Sequence, residues 1–363
     1  MVTISVDRIK RISTALFKAA GCSDYEAKRV TDLLVLSNLQ DHDSHGVVRV
    51  PLYIRGIREG RIKPGAKLEI VKETSTTALI NGNFGIGQVI ATRGMEIAIE
   101  KAKKNSVGVV SIYNCNHIAR MYDYAAMALD HDMIGFVSVN VGNGLVTPYG
   151  GSKGFLGTNP LCFAIPSGEG KPVILDMATS IHAAGKIRVA YARGERVPEG
   201  WIIDSQGNPT TDPAVIYGPQ IKVKGIERES GERGSILPFG GEVGYKGYGL
   251  CLVADILSGA ISGSGCGSQA RGNGVFMMAL NIESFQPVEA FKARVDGLSH
   301  ECRSIPAAPG YVGPHGKSEV LVPGDPERIH EEKNRRTGIY IEDTTWNSIV
   351  KEAQEFNIDI NKI

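Results

Sequence analysis

The sequence predicts a mixed α/β protein in which a helical unit drawn from both chain ends surrounds a central α/β domain. Three observations carry this. Apolar residues recur at helical spacing through the first forty residues, and the C-terminal tail reads as charged helices. From about Lys67 onward, short β-rich runs alternate with amphipathic stretches. Of the 44 glycines, eight fall in 142–170 and thirteen in 231–274, a clustering that points to tight turns and close backbone approach.

In chain order, Ser5 caps a first helix whose Ile9, Ile12, Ala15, Leu16 and Ala19 share one side until Gly21 ends it. Ser23 and Glu26 form a capping box, each meeting the other's free backbone N–H, and open a second helix carrying Val30, Leu33, Leu34 and Leu36. A third helical run covers 47–60, with Pro51 in its first turn or kinking it. Residues 68–73 and 76–82 read as a hairpin, 87–105 as an amphipathic helix and 107–113 as a strand. A helix over 119–132, strands over 133–140, 161–167 and 172–178, and an apolar helix over 247–262 follow. A strand over 275–282 and helices over 287–302, 326–338 and 344–359 complete the chain. The expected division is a helical domain of 1–74 and 308–363 around an α/β domain of 75–307.

Composition excludes several functions. Forty Lys+Arg against 39 Asp+Glu leave a formal net charge of +1, without the basic excess that neutralises nucleic-acid phosphates. The N-terminal stretch is interrupted by charges, and no run approaches ~18 uncharged apolar residues, so neither a signal peptide nor a membrane span is read. Cys22, Cys115, Cys162, Cys251, Cys266 and Cys302 lie far apart with no C-x-x-C pair. That spacing fits reduced thiols and a cytoplasmic location.

Gly82, Gly85 and Gly87 precede a helix, yet no G-x-G-x-x-G is spelled and no acidic residue ends a second strand about twenty residues on, which argues against a Rossmann site. A P-loop is absent as well. If the segment from Ser44 is helical, His45, Arg49 and Tyr53 recur at i, i+4 and i+8 and share a face. A proton-exchanging imidazole beside a guanidinium that grips a carboxylate suits oxidation of a 2-hydroxy acid; the same spacing also fits a solvated surface turn. His117 follows a β-rich run, at a strand's C-terminal end where α/β sheets place ligands, or serves as a structural histidine. His42, Asp43, His45, His117 and His131 show no recognised zinc spacing, so no metal is expected. Cys162 and Ser44 lack a hydrolase signature.

Read together, these segments resemble the type-2 malate/L-lactate dehydrogenase family nearly end to end. The resemblance is carried by D-H-D-S-H-G-V-V-R at 41–49, N-C-N-H at 114–117, G-T-N-P at 157–160, L-D-M-A-T-S at 175–180 and G-K at 185–186. It continues through P-x-G-W-x-x-D-x-x-G-x-P-T-T-D-P at 198–213, L-P-F-G-G at 237–241, Y-K-G-Y-G-L at 245–250, D-I-L-S-G-A-I-S-G at 255–263, V-P-G-D-P-E at 322–327 and R-R-T-G-I at 335–339. It implies an α/β fold with a non-Rossmann, sulfolactate dehydrogenase-like NAD(P)-binding domain, a small carboxylate substrate and a homodimer. NAD is the expected cofactor, with NADP the alternative if a cation such as Arg188, Arg193 or Arg196 meets a 2′-phosphate.

Position by position, the resemblance makes His45 the proton donor/acceptor and His117 a second active-site histidine. It puts Arg49 on the substrate carboxylate, with Ser44 and Tyr53 on the substrate side. It assigns Asn140, Asp176, Met177, Ala178, Thr179, Ser180, Tyr245, Lys246, Pro323, Gly324 and Asp325 to cofactor contact. Reduction of an imino acid on the same fold is the alternative chemistry, and a non-catalytic nucleotide-binding protein a more distant one. Two departures bear on substrate choice. Where many relatives continue Phe-Gly-x-x-G after the histidine, this chain reads Ile118-Ala119-Arg120-Met121-Tyr122, adding a cation and bulk. G-G-x-K-G is lengthened to G-G-E-V-G-Y-K-G at 240–247.

Overall fold

The caps written into the N-terminal sequence are made. In the computed structural model, the Ser23 N–H donates to Glu26 Oε2 at 2.9 Å and the Glu26 N–H to Ser23 Oγ at 3.3 Å, opening the helix Asp24–Leu39. The second Glu26 oxygen accepts the Gly65 N–H at 2.8 Å, so the cap also pins the loop after the third helix. Helix Val6–Ala19 begins at Ser5 and packs Ile9, Ile12, Leu16 and Phe17 against Val30, Leu34, Val35 and Leu39. The structure describes residues 2–218 and 233–363, with the backbone of a short hairpin, Val223–Lys224 and Glu227–Arg228, between them. Gly231, counted in the second glycine cluster, lies outside the described residues.

Both chain ends build one core. Strand Val2–Ile4 pairs antiparallel with Ile339–Ile341, and the helix Asp343–Glu355 adds Ile349 and Ala353 to the apolar cluster of the first helices. The central domain is a seven-stranded mixed sheet in the order Glu69–Glu73, Thr77–Asn81, Val107–Cys115, Asn273–Asn281, Met133–Val141, Leu161–Ile165, Val173–Met177. Only the Thr77–Asn81/Val107–Cys115 pair is parallel, unlike the parallel doubly wound sheet of a Rossmann domain. The expected boundary at 74/75 falls between the two strands of this edge hairpin.

Two further differences shape the site. The helix expected over 119–132 is one α-turn, Tyr122–Ala125, running into a 3₁₀ segment, Ala126–His131. A subsidiary lobe has its own core of Leu145, Val146, Leu156, Ile187, Val197, Ile202, Ile216, Ile236 and Cys251. Its three-stranded sheet pairs Ile202–Ile203 with Pro209–Thr210 and Ser235–Ile236, and it carries the helix Ala184–Arg193. Among the described residues no helix is long and apolar enough to cross a membrane.

The helix Gly87–Asn105 lies directly on the sheet where the strand has no side chain. A Cβ at Gly108 would stand 1.9 Å from the Ala98 carbonyl oxygen. Backbone cannot retreat as a flexible side chain can, so Gly108→Ala is expected to cost about 3 kcal/mol or more, read as a shift of the urea midpoint. A change below about 0.5 kcal/mol would show that helix and sheet are not in contact there.

Candidate active site

The segment after the second helix does not continue as the single helix that the His45, Arg49, Tyr53 spacing assumes. Gly46 is extended (φ −89°, ψ −152°) and separates two 3₁₀ turns, Asp43–His45 and Val47–Arg49, ahead of the helix Val50–Arg58. Asn38 imposes this break. Its Oδ1 accepts the Val47 N–H at 2.8 Å and its Nδ2 donates to Asp43 Oδ1 at 2.6 Å, and a Cβ at Gly46 would lie 2.1 Å from Asn38 Oδ1. The three residues nevertheless converge. Arg49 Nε donates to the Ser44 carbonyl at 2.7 Å, and Ser44 Oγ lies 2.9 Å from His45 Nδ1.

His117 stands just beyond the C-terminal end of the strand Val107–Cys115, and its ring stacks on that of His45 with centroids 5.7 Å apart and planes 20° apart. Tyr53 Oη is 2.7 Å from His117 Nδ1, and Gln88 Nε2 donates to that phenol at 2.9 Å. With Gln88 donating inward, the tyrosine O–H is available to His117 Nδ1, which also receives the Ala119 N–H at 3.4 Å. Nδ1 is therefore the acceptor and the ring proton sits on Nε2. Gln88, 1% exposed, has no counterpart in the sequence reading; its signal is a polar side chain on the apolar side of an amphipathic helix.

Electrostatics keep both imidazoles neutral. Burial first, and then the Arg49 guanidinium, pushes the His45 pKa down to about 3, with His42 and Arg120 adding to the effect. Burial, Arg49 and His45 hold His117 well below the ordinary histidine range. Burial lifts the Tyr53 phenol to about 12, so it remains a proton donor.

His45, Ser44 and Arg49 open on a cleft of about 830 Å³ between the catalytic loop, the end of the strand Val173–Met177 and the helix Ala184–Arg193. Of the residues expected at a cofactor, Asp176, Met177, Ala178 and Ser180 line it. Asp176 Oδ2 accepts the N–H groups of Met121 and Tyr122 at 3.1 and 2.8 Å, tying that strand end to the segment after His117. The remaining cofactor assignments do not meet this cleft. Asn140 is fully buried and donates to Asp255 Oδ1 and the Gly265 carbonyl, because the Asp255 carboxylate must be satisfied inside the domain. The Thr179 hydroxyl turns inward to the carbonyls of Thr158 and Asn159. Asp325 receives both Nε and Nη2 of Arg303 at 2.9 Å and the Val322 N–H, while the Pro323 carbonyl takes the Ile174 N–H and Gly324 is a left-handed cap. Tyr245 and Lys246 begin an exposed helix outside the cleft lining.

The cleft fits a dinucleotide on chemistry of its own. The helix Ala184–Arg193 starts at its wall with no side chain capping it, leaving N–H groups for a phosphate. Gly185 lets that helix end press on the catalytic loop, since a Cβ there would be 2.6 Å from Ser44 Cβ. His182 and Trp201, which the sequence reading gave no role, face the same space with ring centroids 3.9 Å apart and offer aromatic surface to a planar ring.

These features have close relatives. The malate/L-lactate dehydrogenase family model matches residues 4–350. The chain is 37% identical to the malate/(S)-sulfolactate dehydrogenase of Methanothermus fervidus, over 98% of this chain and 99% of that one. Its fold matches malate dehydrogenase of Entamoeba histolytica with a TM-score of 0.90 at 30% identity, covering 99% of both chains. Sulfolactate dehydrogenase of Methanocaldococcus jannaschii matches with a TM-score of 0.86 at 34% identity, again over 99% of each. Family match and fold together define a nicotinamide-dependent dehydrogenase. The chain belongs to the malate/L-lactate dehydrogenase family.

Tyr53→Phe removes the donor to His117 and leaves the Gln88 amide unmet, each a contact of roughly 1–3 kcal/mol. Turnover is expected to fall roughly 10- to 100-fold with the far-UV spectrum unchanged. Full turnover in a folded variant would mean that the phenol does not orient the imidazole.

Proposed function

We propose that the chain interconverts a small 2-hydroxy acid and its 2-oxo acid by hydride transfer. The observation that supports this reading best is the meeting of His45, His117 and Arg49 at one cleft. Arg49 grips the substrate carboxylate and presents C2 at a fixed distance. In this mechanism the His45 proton is held on Nδ1 toward Ser44 Oγ, 2.9 Å away, and Nε2 acts as the base for the substrate hydroxyl. His117 Nε2–H donates a hydrogen bond to the same oxygen as negative charge develops on it. Bound nicotinamide supplies the acceptor for the C2 hydride. A substrate carboxylate beside Arg49 offsets the guanidinium field, so the His45 imidazolium forms more readily during turnover than in the free protein.

NAD is the favoured cofactor. Arg188, Arg193 and Arg196, which could meet a 2′-phosphate, line the cleft with partners of their own: Arg193 pairs with Glu342, Arg196 lies 4.0 Å from Asp212, and Arg188 packs over the Tyr217 ring. The reported relatives are named for hydroxy-acid chemistry, which leaves C=N reduction less supported. The six cysteines are unpaired, in keeping with a reducing cytoplasm.

The assay is loss of reduced-nicotinamide absorbance with a panel of 2-oxo acids; no change with any of them would sink the proposal. His45→Ala is expected to abolish turnover while cofactor binding persists. For the oxidation direction, the low His45 pKa means the base is already unprotonated at neutrality. kcat/KM is therefore expected to stay flat from about pH 8 down to about pH 5 and to fall only as acid protonates His45. An acid limb centred near 6.5 would contradict the assignment.

A homodimer is the expected assembly. The helix Tyr245–Asp255 and its continuation Ile256–Ala260 are rich in apolar residues, yet Val253 and Ile256, with Ile261 just beyond, are about half exposed, as in a helix that another subunit covers. Ile256→Arg is expected to shift sedimentation toward the monomer. A wild-type chain already monomeric at micromolar concentration would remove the dimer.

A further inference from the structure

We propose that the helix Asp325–Thr337 is the positioning element of the catalytic loop, and that Asn334 and Glu327, neither of which lines the cleft, are positioning residues that act on turnover through His45. This rests on the dehydrogenase reading above and extends it to side chains that do not touch the reacting atoms.

The sequence of this helix, DPERIHEEKNRRT, offers little apolar surface, with Ile329 its one aliphatic side chain. A helix so polar is held by what its side chains meet rather than by burial. Glu327, His330, Glu331 and Asn334 stand at i, i+3, i+4 and i+7 and so share one face. The side chains of Glu327, His330 and Glu331 are 22%, 20% and 23% exposed, against 77% for Glu332 and 74% for Arg336 on the outer side.

Each residue of that face meets one step of the chain leading into the catalytic loop, in antiparallel order. Asn334 Nδ2 donates to the Leu39 carbonyl at 3.0 Å and, at 3.4 Å, to that of Asn38. These carbonyls end the helix Asp24–Leu39, where backbone acceptors have no partner within their own helix. Gln40 Nε2 donates to Glu331 Oε2 at 2.6 Å, His330 Nδ1 lies 3.9 Å from Asp41 Oδ2, and His42 Nε2 lies 3.2 Å from Glu327 Oε1. Residues 38–42 are thereby laid along the helix, and Asn38 among them is the side chain that sets the break at Gly46. Asp41 and His42 line the cleft, so the helix backs the loop from outside it.

The N-terminal end of the same helix is anchored to another wall of the cleft. Asp325 takes both Nε and Nη2 of Arg303, Arg328 Nη1 donates to the Pro172 carbonyl at 3.0 Å, and the Ile174 N–H donates to the Pro323 carbonyl at 3.0 Å. Pro172 and Ile174 bracket the start of the strand Val173–Met177, whose far end brings Asp176 and Met177 to the cleft. One element therefore joins the loop bearing His45 and Arg49 to the wall across from it. Hydride and proton transfer both depend on the gap between those walls, and this helix sets it.

The test compares the full-length wild type with Asn334→Leu, Glu327→Leu, Glu327→Gln and, on the outer side, Lys333→Leu. In 2-oxo acid reduction with each reduced nicotinamide, Asn334→Leu and Glu327→Leu are expected to lose roughly 10- to 100-fold in kcat. The KM for the cofactor is expected to stay within about twofold of the wild type. Glu327→Gln, which keeps a hydrogen-bonding group opposite His42 Nε2, is expected to recover most of the loss, and Lys333→Leu to show none. Hydrogen–deuterium exchange, which needs no turnover, is expected to speed up at least ~10-fold over residues 40–49 in both leucine variants of the inner face, with the strand Val107–Cys115 unchanged. Wild-type kcat in a folded Asn334→Leu or Glu327→Leu, an equal loss in Lys333→Leu, or unchanged exchange over 40–49 overturns the positioning role. Absence of wild-type turnover with every 2-oxo acid overturns the dehydrogenase reading instead, and the exchange rates then decide the positioning role alone.

Discussion

One side-chain amide, Asn38 at the end of the second helix, holds the loop on which the rest of the site depends. By accepting from Val47 and donating to Asp43 it forces the chain to break at Gly46 and restart as a new helix at Val50, one residue before Pro51. Ser44, His45 and Arg49 take their places from that break. The loop also receives Gly185 against Ser44 from the subsidiary lobe and Arg120 against Gln40 from the sheet domain. Three parts of the molecule therefore meet on a segment of about ten residues, which the amide holds in a single conformation.

Charge within this frame keeps both imidazoles unprotonated. The imidazoles are buried beside guanidiniums, and both causes act in the same direction, against protonation. In the proposed mechanism a neutral His45 removes the hydroxyl proton, and an arriving carboxylate relieves part of the opposition at the moment the proton moves. The Tyr53–Gln88 pair sets the tautomer of His117, which in the proposed mechanism separates its role from that of His45.

Much of the fold is legible in the sequence because it is local. The capping box at Ser23 and Glu26, the helix from Gly87 to Asn105 and the β-rich runs appear where their periodicity places them. What stays hidden is long range. Nothing near residues 273–281 announces that this strand sits between 107–115 and 133–141, and the cut at 74/75 separates two strands whose pairing defines the sheet edge. The site follows the same rule. His45, Arg49 and Tyr53 share motifs with their neighbours, but the inward turn of Asn140 depends on Asp255, and the place of Gln88 depends on Tyr53, each a contact between distant segments. The glycine clusters have mixed causes: Gly150 and Gly263 sit in left-handed turns, while Gly157 and Gly247 are bare because the backbone of Val141 and of Phe239 presses on them.

The most direct test of the central claim follows the hydrogen itself. A 2-hydroxy acid carrying deuterium at C2 is oxidised by the purified chain with NAD, and the reduced cofactor is recovered for mass spectrometry and proton NMR. The account predicts that deuterium appears at C4 of the nicotinamide, one atom per turnover, with none lost to water. Deuterium released to solvent, or a cofactor left unlabelled while the 2-oxo acid forms, would contradict hydride transfer between an Arg49-held carboxylate substrate and a bound nicotinamide.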